Sequence, residues 1–332
     1  MTRIVIYGVG AVGGAVAAAM VEAGHDVIGI ARGRQLDALR DGPLTVRMPE
    51  GNFAAKVPVV AAPAEIAFAP GDIVLLTMKS QDTGAALMAL RDAGLRDQPV
   101  FCFQNGIANE DLALRFFPNV HGATVMMPVS YLRPGEVIAS GAPKIGLFDL
   151  GRYSSGIDEA DHRLAALLDT ARMGGFVHDD IMASKRGKLL LNVSNAVDAA
   201  IGGEGRKTPL AVAARDEAEA VFRSAGLVWQ DVGLSDPRRR DLMQMYDVPG
   251  APRGGSSTAQ SLARGTGSVE TDYLNGEIAR LGRLSGVATP VNAFLAELGA
   301  ALAQGGAAPA GMDEAVLEAR FEAWRTGAPA AS

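Results

Sequence analysis

Residues 3–23 constrain the fold more than any other stretch. An apolar run, Ile4 to Tyr7, enters Gly8-Val9-Gly10-Ala11-Val12-Gly13, and an alanine-rich stretch follows from Ala15 to Ala23. That order predicts a strand, a tight glycine turn and a helix. Gly8 lets the chain turn sharply, Gly10 lets a ligand approach the backbone, and Gly13 lets the helix lie on the strand. Open N–H groups at the helix start attract an anion. The pattern predicts dinucleotide binding, with Gly8, Gly10, Ala11, Val12 and Gly13 around the pyrophosphate. A glycine turn that merely packs a helix on a strand is the bland alternative, and the correct context on both sides of the motif weakens it.

The first half goes on alternating short apolar runs with helical patterns. Strands are expected at Arg3–Tyr7, Asp26–Ala31, Ile73–Thr77, Val100–Phe103 and Gly122–Met126, with shorter ones near Leu44–Arg47, Ala55–Val60, Val137–Ala139 and Lys144–Leu147. Strands alternating with helices imply a mostly parallel sheet. After about residue 181 helical periodicity takes over, over Met182–Ala200, Pro209–Ala225, Val269–Ser285 and Val291–Ala303. The expected fold class is α/β: a Rossmann-type dinucleotide-binding domain over residues 1–180, followed by an all-helical domain over 181–332. Asp231–Ser257, rich in Pro, Gly and Arg, reads as a long irregular connection.

Charge and composition exclude several functions. Among 332 residues the net charge is −6, so a general nucleic-acid footprint is absent. Cys102 is the single cysteine; it lies in an apolar run and reads as a small core residue in a reducing compartment. The four histidines show no ligand spacing, so no metal site is expected. No apolar stretch reaches membrane-spanning length and no signal peptide precedes the glycine loop. A cytoplasmic protein is the expectation, with a homodimer as one oligomeric state open to it.

The tip of the second strand selects the cofactor. An acid there accepts the ribose 2′-hydroxyl of NAD, whereas an arginine suits the 2′-phosphate of NADP. Asp26 stands at the wrong end of Asp26-Val-Ile-Gly-Ile-Ala-Arg32-Gly-Arg34. The tip carries Arg32 and Arg34 and no acid, so NADP is the expected cofactor. Ordinary surface charges are the alternative.

With these pieces placed, the chain resembles the ketopantoate reductase (2-dehydropantoate 2-reductase) family. The matching segments are Gly8–Gly13, Gly24-His-Asp-Val with Ala31-Arg32-Gly33, Leu76-Thr-Met-Lys79, Gln104-Asn105-Gly106-Ile107, Lys188-Leu-Leu-Leu-Asn192, Ser256-Ser257, Glu270-Thr-Asp-Tyr-Leu-Asn-Gly276 and Thr289-Pro-Val-Asn292. They fall in family order over nearly the whole chain. The resemblance implies NADPH-dependent reduction of a 2-oxo acid, most readily 2-dehydropantoate to pantoate, in a cleft between a Rossmann and a helical domain. It implies Lys188 as the catalytic lysine, Glu270 as the glutamate beside it, and Asn192 and Ser257 as substrate residues. Lys79 and Asn105 would approach nicotinamide and substrate. Three departures fall on the substrate side: the family's second asparagine position is Ala196, with Asn195 one residue earlier; Ser261 stands near the place where an acid is usual; and the segment between Ser257 and Glu270 is one residue longer, with the glycine-rich run Arg264-Gly-Thr-Gly267.

Read without the resemblance, the residues allow the same roles beside plainer ones. In a continuous helix Asn192 lies roughly 40° and Asn195 roughly 20° around from Lys188. A polar stripe on an otherwise apolar helix needs partners. A lysine can stabilise a developing alkoxide and give it a proton. A lysine snorkelling to solvent is the competing reading. Glu270 can equally serve a helix N-terminus, Ser256 to Thr258 a helix cap, Lys79 the surface, and Asn105-Gly106 a turn. Two rival functions stay open: a related reductase for another branched 2-oxo acid or an imine, and a non-catalytic NADP-binding sensor.

Overall fold

A computed structural model describes residues 2–203, 205–251, 254–265 and 267–327. The chain divides into two compact units, Met1–Lys185 with Asp231–Arg253, and Arg186–Gln230 with Gly254–Ser332.

The first unit is built on an eight-stranded sheet. In chain order its strands are β1 (Arg3–Tyr7), β2 (Asp26–Ile30), β3 (Val59–Val60), β4 (Ile73–Leu76), β5 (Val100–Cys102), β6 (Val120–Met126), β7 (Leu147–Arg152) and β8 (Gly174–Val177). Across the sheet they run β8-β7-β6-β5-β4-β1-β2-β3. All neighbours are parallel except β6 and β7, which pair antiparallel from Leu147 opposite Met126 to Arg152 opposite His121. β4 and β5 are buried at every residue, as expected for parallel strands covered on both faces. The chain leaves β1 to one side for β2 and returns on the other side as β4. That reversal is the switch point at which open α/β sheets bind ligands, beyond the carboxyl ends of the strands.

The helix Ala11–Glu22 is apolar on every side, and the structure shows why. One side lies on β1, where a Cβ on Gly13 would stand 2.3 Å from the Gly8 carbonyl oxygen and 3.1 Å from Ile6 Cγ2. The other meets a second, four-stranded sheet ordered Phe53–Ala55, Leu44–Arg47, Glu136–Ala139, Val129–Arg133. There a Cβ on Gly14 would stand 3.0 Å from Val137 Cγ2. A helix apolar all round is one buried all round.

Parts of this unit differ from the sequence reading: the expected strand Ala55–Val60 is split, Phe53–Ala55 lying in the four-stranded sheet and Val59–Val60 in the eight-stranded one. The strand near Lys144–Leu147 is instead β7, Leu147–Arg152. Its interior Asp149, wholly buried, hid the strand pattern. Residues 231–253 also do not merely connect. Met243–Met245 pairs antiparallel with Gly141–Pro143, and Arg238 binds Asp149 through Nη1 at 2.6 Å while stacking 4.7 Å over Phe176. Ser184 Oγ donates to the same carboxylate at 2.6 Å. A buried carboxylate needs such partners, and they draw the segment back into the first unit.

The second unit is helical: Asn195–Ile201, Pro209–Ser224, Ser257–Ala263, Asn275–Ser285, Pro290–Gln304 and Glu314–Thr326. Glu217 accepts the open N–H groups of Val291 and Asn292, both at 2.9 Å, and so caps the helix Pro290–Gln304. The helix Ile181–Asn192 starts in the first unit and ends in the second. The expected continuous helix to Ala200 is broken: Val193 and Ser194 form a turn, with Ser194 Oγ bonded back to the Leu191 carbonyl at 3.2 Å, and Asn195 opens a new helix. A serine that bonds back to the chain competes with the helical ladder. Among the described residues no helix is long and apolar enough to cross a membrane.

Candidate active site

The glycine turn sits beyond the carboxyl end of β1. Gly8 has φ +108°, and a Cβ there would lie 2.7 Å from the Met78 backbone nitrogen. At Gly10 the surroundings invert: a Cβ would meet nothing within 4 Å. The helix Ala11–Glu22 has no side-chain cap and no acid in its first turn. No side chain at the helix start therefore takes up its first N–H groups, which sit at the positive end of the dipole. Thr77 locks the turn, donating from Oγ1 to the carbonyls of Tyr7 and Gly8 at 3.0 and 2.9 Å. This cradle fits a dinucleotide pyrophosphate: Gly8 and Gly13 are closely packed, while Gly10 borders open space.

Lys79 follows β4 and Asn105 follows β5, at the same end of the sheet. A polar network holds their loops together. The Asn105 carbonyl accepts from Ser80 Oγ at 3.4 Å and from Asn109 Nδ2 at 3.3 Å. Thr83 Oγ1 donates to Asn109 Oδ1 at 2.8 Å and accepts from Gln104 Nε2 at 3.1 Å.

At the tip of β2, Arg32 is 84% exposed and Arg34 is exposed in the following helix. The tip is not without an acid, as its own sequence suggested. The turn Ser80–Asp82 after β4 brings Asp82 to Arg32, Nη2 to Oδ2 2.8 Å. Fifty residues separate the pair, so the local reading could not see it.

Sequence reasoning missed a deeply buried ion pair in the first unit. Lys185 and Glu110, 2% and 0% exposed, form an ion pair at 2.5 Å. Lys185 Nζ also donates to the carbonyls of Cys102, Gln104 and Ala123 at 3.2, 3.0 and 3.3 Å. Burial pushes the Glu110 carboxyl above its usual range, against the pull of Lys185. Burial likewise raises the Cys102 thiol, Glu110 adds to that, and Lys185 opposes it. A signal was present: Ile181, Lys185 and Leu189 follow one another at intervals of four, on the buried face of the helix.

One group of metal-ligand types comes together among the described residues. His121, Asp158 and Asp161 place ligand atoms within 4.8 Å of one another. These atoms are already engaged: His121 Nδ1 bonds Asp161 at 2.8 Å, His121 Nε2 bonds Asn119 at 2.9 Å, and Arg152 donates to Asp158 at 2.8 Å.

In the second unit, Lys188 and Asn192 lie one turn apart on one helix. Asn192 is buried, and its Nδ2 has no hydrogen-bond partner. The broken helix takes Asn195 off that element, yet brings it to Ser257, Nδ2 to Oγ 3.4 Å, with Arg206 Nη2 donating to Asn195 Oδ1 at 3.3 Å. The paired serines divide their labour. Ser256 caps the helix Ser257–Ala263, accepting from the Ala259 N–H at 3.2 Å and donating to the Asn195 carbonyl at 3.1 Å. Ala196, at the family's usual asparagine position, is buried. Glu270 precedes the turn Thr271–Tyr273 without capping it by its side chain.

A doubly wound sheet, a glycine cradle at its switch point and a helical second unit define a pyridine-nucleotide-dependent oxidoreductase. Residues 4–153 match the ketopantoate reductase PanE/ApbA family and residues 180–303 match that family's C-terminal region. The chain belongs to the ketopantoate reductase family. It is 30% identical over 313 residues to a 2-dehydropantoate 2-reductase of Caulobacter vibrioides, covering 90% of this chain and 98% of that one. A crystal structure of a PanE/ApbA family ketopantoate reductase from Ralstonia eutropha JMP134 superposes with a TM-score of 0.75 at 28% identity, over 92% of this chain and 99% of the other. D-mandelate dehydrogenase, in a ternary structure with NADH and anilino(oxo)acetate, shares the fold with a TM-score of 0.75 at 23% identity, over 92% and 99%.

Proposed function

We propose that this protein reduces a 2-oxo acid with NADPH, and that the acid is 2-dehydropantoate, giving pantoate. The observation that carries the reading is the Asn192 amide: a buried donor with no partner, one turn from Lys188, in a chain of this family. Buried donors are nearly always satisfied; an oxygen-rich ligand supplies what Asn192 lacks.

When bound, the reduced nicotinamide supplies a hydride. The chain supplies the rest. Gly8, Gly10, Ala11, Val12 and Gly13 receive the pyrophosphate, and Arg32 answers the 2′-phosphate. Lys79 and Asn105 serve the nicotinamide end. Lys188 gives the Nζ proton to the carbonyl oxygen as it becomes a hydroxyl, and its charge stabilises the oxygen until then. Asn192 orients that oxygen, Asn195 and Ser257 hold the acid, and Glu270 accepts from the product hydroxyl. A second reading, a different 2-oxo acid, is favoured by Ala196, where the side-chain amide usual in the family is missing.

The test is Lys188→Ala. Turnover should fall by roughly 10²–10⁴-fold, the range of general acid catalysis, with NADPH affinity kept. Lys188→Arg should rescue little, because a guanidinium does not readily release a proton. An alanine variant with near-normal turnover refutes the assignment and passes the role to Lys79.

A further inference from the structure

The Arg32–Asp82 pair has a consequence for cofactor choice, resting on the reading just given. Three elements converge on the tip: β1 ends in Tyr7, β2 leads into Arg32, and the turn after β4 ends in Asp82. The Tyr7 hydroxyl feels both partners. Burial raises it first, Arg32 opposes and Asp82 adds. Asp82 is 37% exposed and its Oδ2 lies 2.8 Å from the Arg32 guanidinium. The cation that an NADP phosphate would use is thus already paired with a carboxylate.

We propose that Asp82 is a specificity-determining residue that competes with the 2′-phosphate for Arg32 and so lowers the preference for NADPH over NADH. A phosphate gripping Arg32 must either displace Asp82 or share the guanidinium with it. In both cases a carboxylate faces a dianionic phosphate across a few ångströms. The 2′-hydroxyl of NADH carries no charge and meets no such penalty. The pair is exposed, so the effect is modest and salt-dependent.

The experiment measures dissociation constants for NADPH and NADH by quenching of protein fluorescence, in the wild type, Asp82→Asn, Arg32→Ala and the double variant. Asp82→Asn should tighten NADPH about threefold to tenfold, the size of one like-charge interaction near a surface, and leave NADH within about twofold. The gain should shrink at high salt and vanish in the Arg32→Ala background. Equal changes for both cofactors, weaker NADPH binding, or a gain that survives without Arg32 would each overturn the proposal. Arg32→Ala separates this from the parent reading. If that variant alone leaves NADPH binding unchanged, Arg32 does not meet the phosphate, and the cofactor assignment falls together with the competition.

Discussion

Replacing Lys185 by Met should destabilise the protein far more than an ordinary lysine substitution. Lys185 Nζ has four acceptors, Glu110 at 2.5 Å and three backbone carbonyls between 3.0 and 3.3 Å. Met fills similar volume but strands a fully buried carboxylate. Breaking one side of a buried pair costs about 3–5 kcal/mol, and each carbonyl left without a donor adds to that. The Glu110 carboxyl, already raised by burial, would take up a proton once Lys185 is gone. That caps the cost near the lower end of the range and makes it grow with pH. Urea unfolding of the wild type, Lys185→Met, Glu110→Leu and the double variant forms the assay. The double variant should recover most of the loss, because an apolar pair can replace a buried ionic one. A single variant losing less than about 1 kcal/mol, well short of what breaking a buried pair costs, would refute this reading of the pair.

Gly10→Val should abolish NADPH binding while leaving the melting temperature nearly unchanged. Nothing in the protein lies within 4 Å of the new Cβ, and fluorescence titration with a thermal melt separates the two outcomes. Stability should also fall in acid. Burial alone would raise the Asp236 carboxyl, but hydrogen bonds from the Arg238 side chain and N–H hold it below its usual value; Asp158 behaves alike through His121, the Ala160 N–H and Arg152. Both are lowered in the folded state, so their contribution is present above about pH 4, the unfolded aspartate value, and is lost as pH falls through the folded values. Asp236→Asn should flatten that part of a melting-temperature profile against pH.

The glycine cradle and the parallel sheet are legible in the sequence because their signals are local: a turn of fixed spacing, apolar runs of strand length, a helix apolar all round. Pairings across long separations are not. Nothing near Leu44–Arg47 announces that it lies parallel to Glu136–Ile138. Nothing in 231–253 tells that Arg238 seeks Asp149. The break at Val193–Ser194 defeats the periodicity that put Asn195 beside Lys188, and the Ser194 hydroxyl bond that accompanies it leaves no trace in the apolar pattern. Asp82 and Glu110 escaped notice for the same reason: each meets its cation only in the folded chain. Lys185 is different. Its place on the buried face was readable, and the polar residue type masked it.

The proposed activity is turnover of a 2-oxo acid with NADPH. Loss of reduced-nicotinamide absorbance, followed with 2-dehydropantoate and a panel of other 2-oxo acids, tests it most directly. NADPH should be oxidised steadily with 2-dehydropantoate ahead of the other acids, and NADH more slowly. NADPH that binds but is oxidised with none of the acids would contradict it and leave a nucleotide-binding protein without this chemistry.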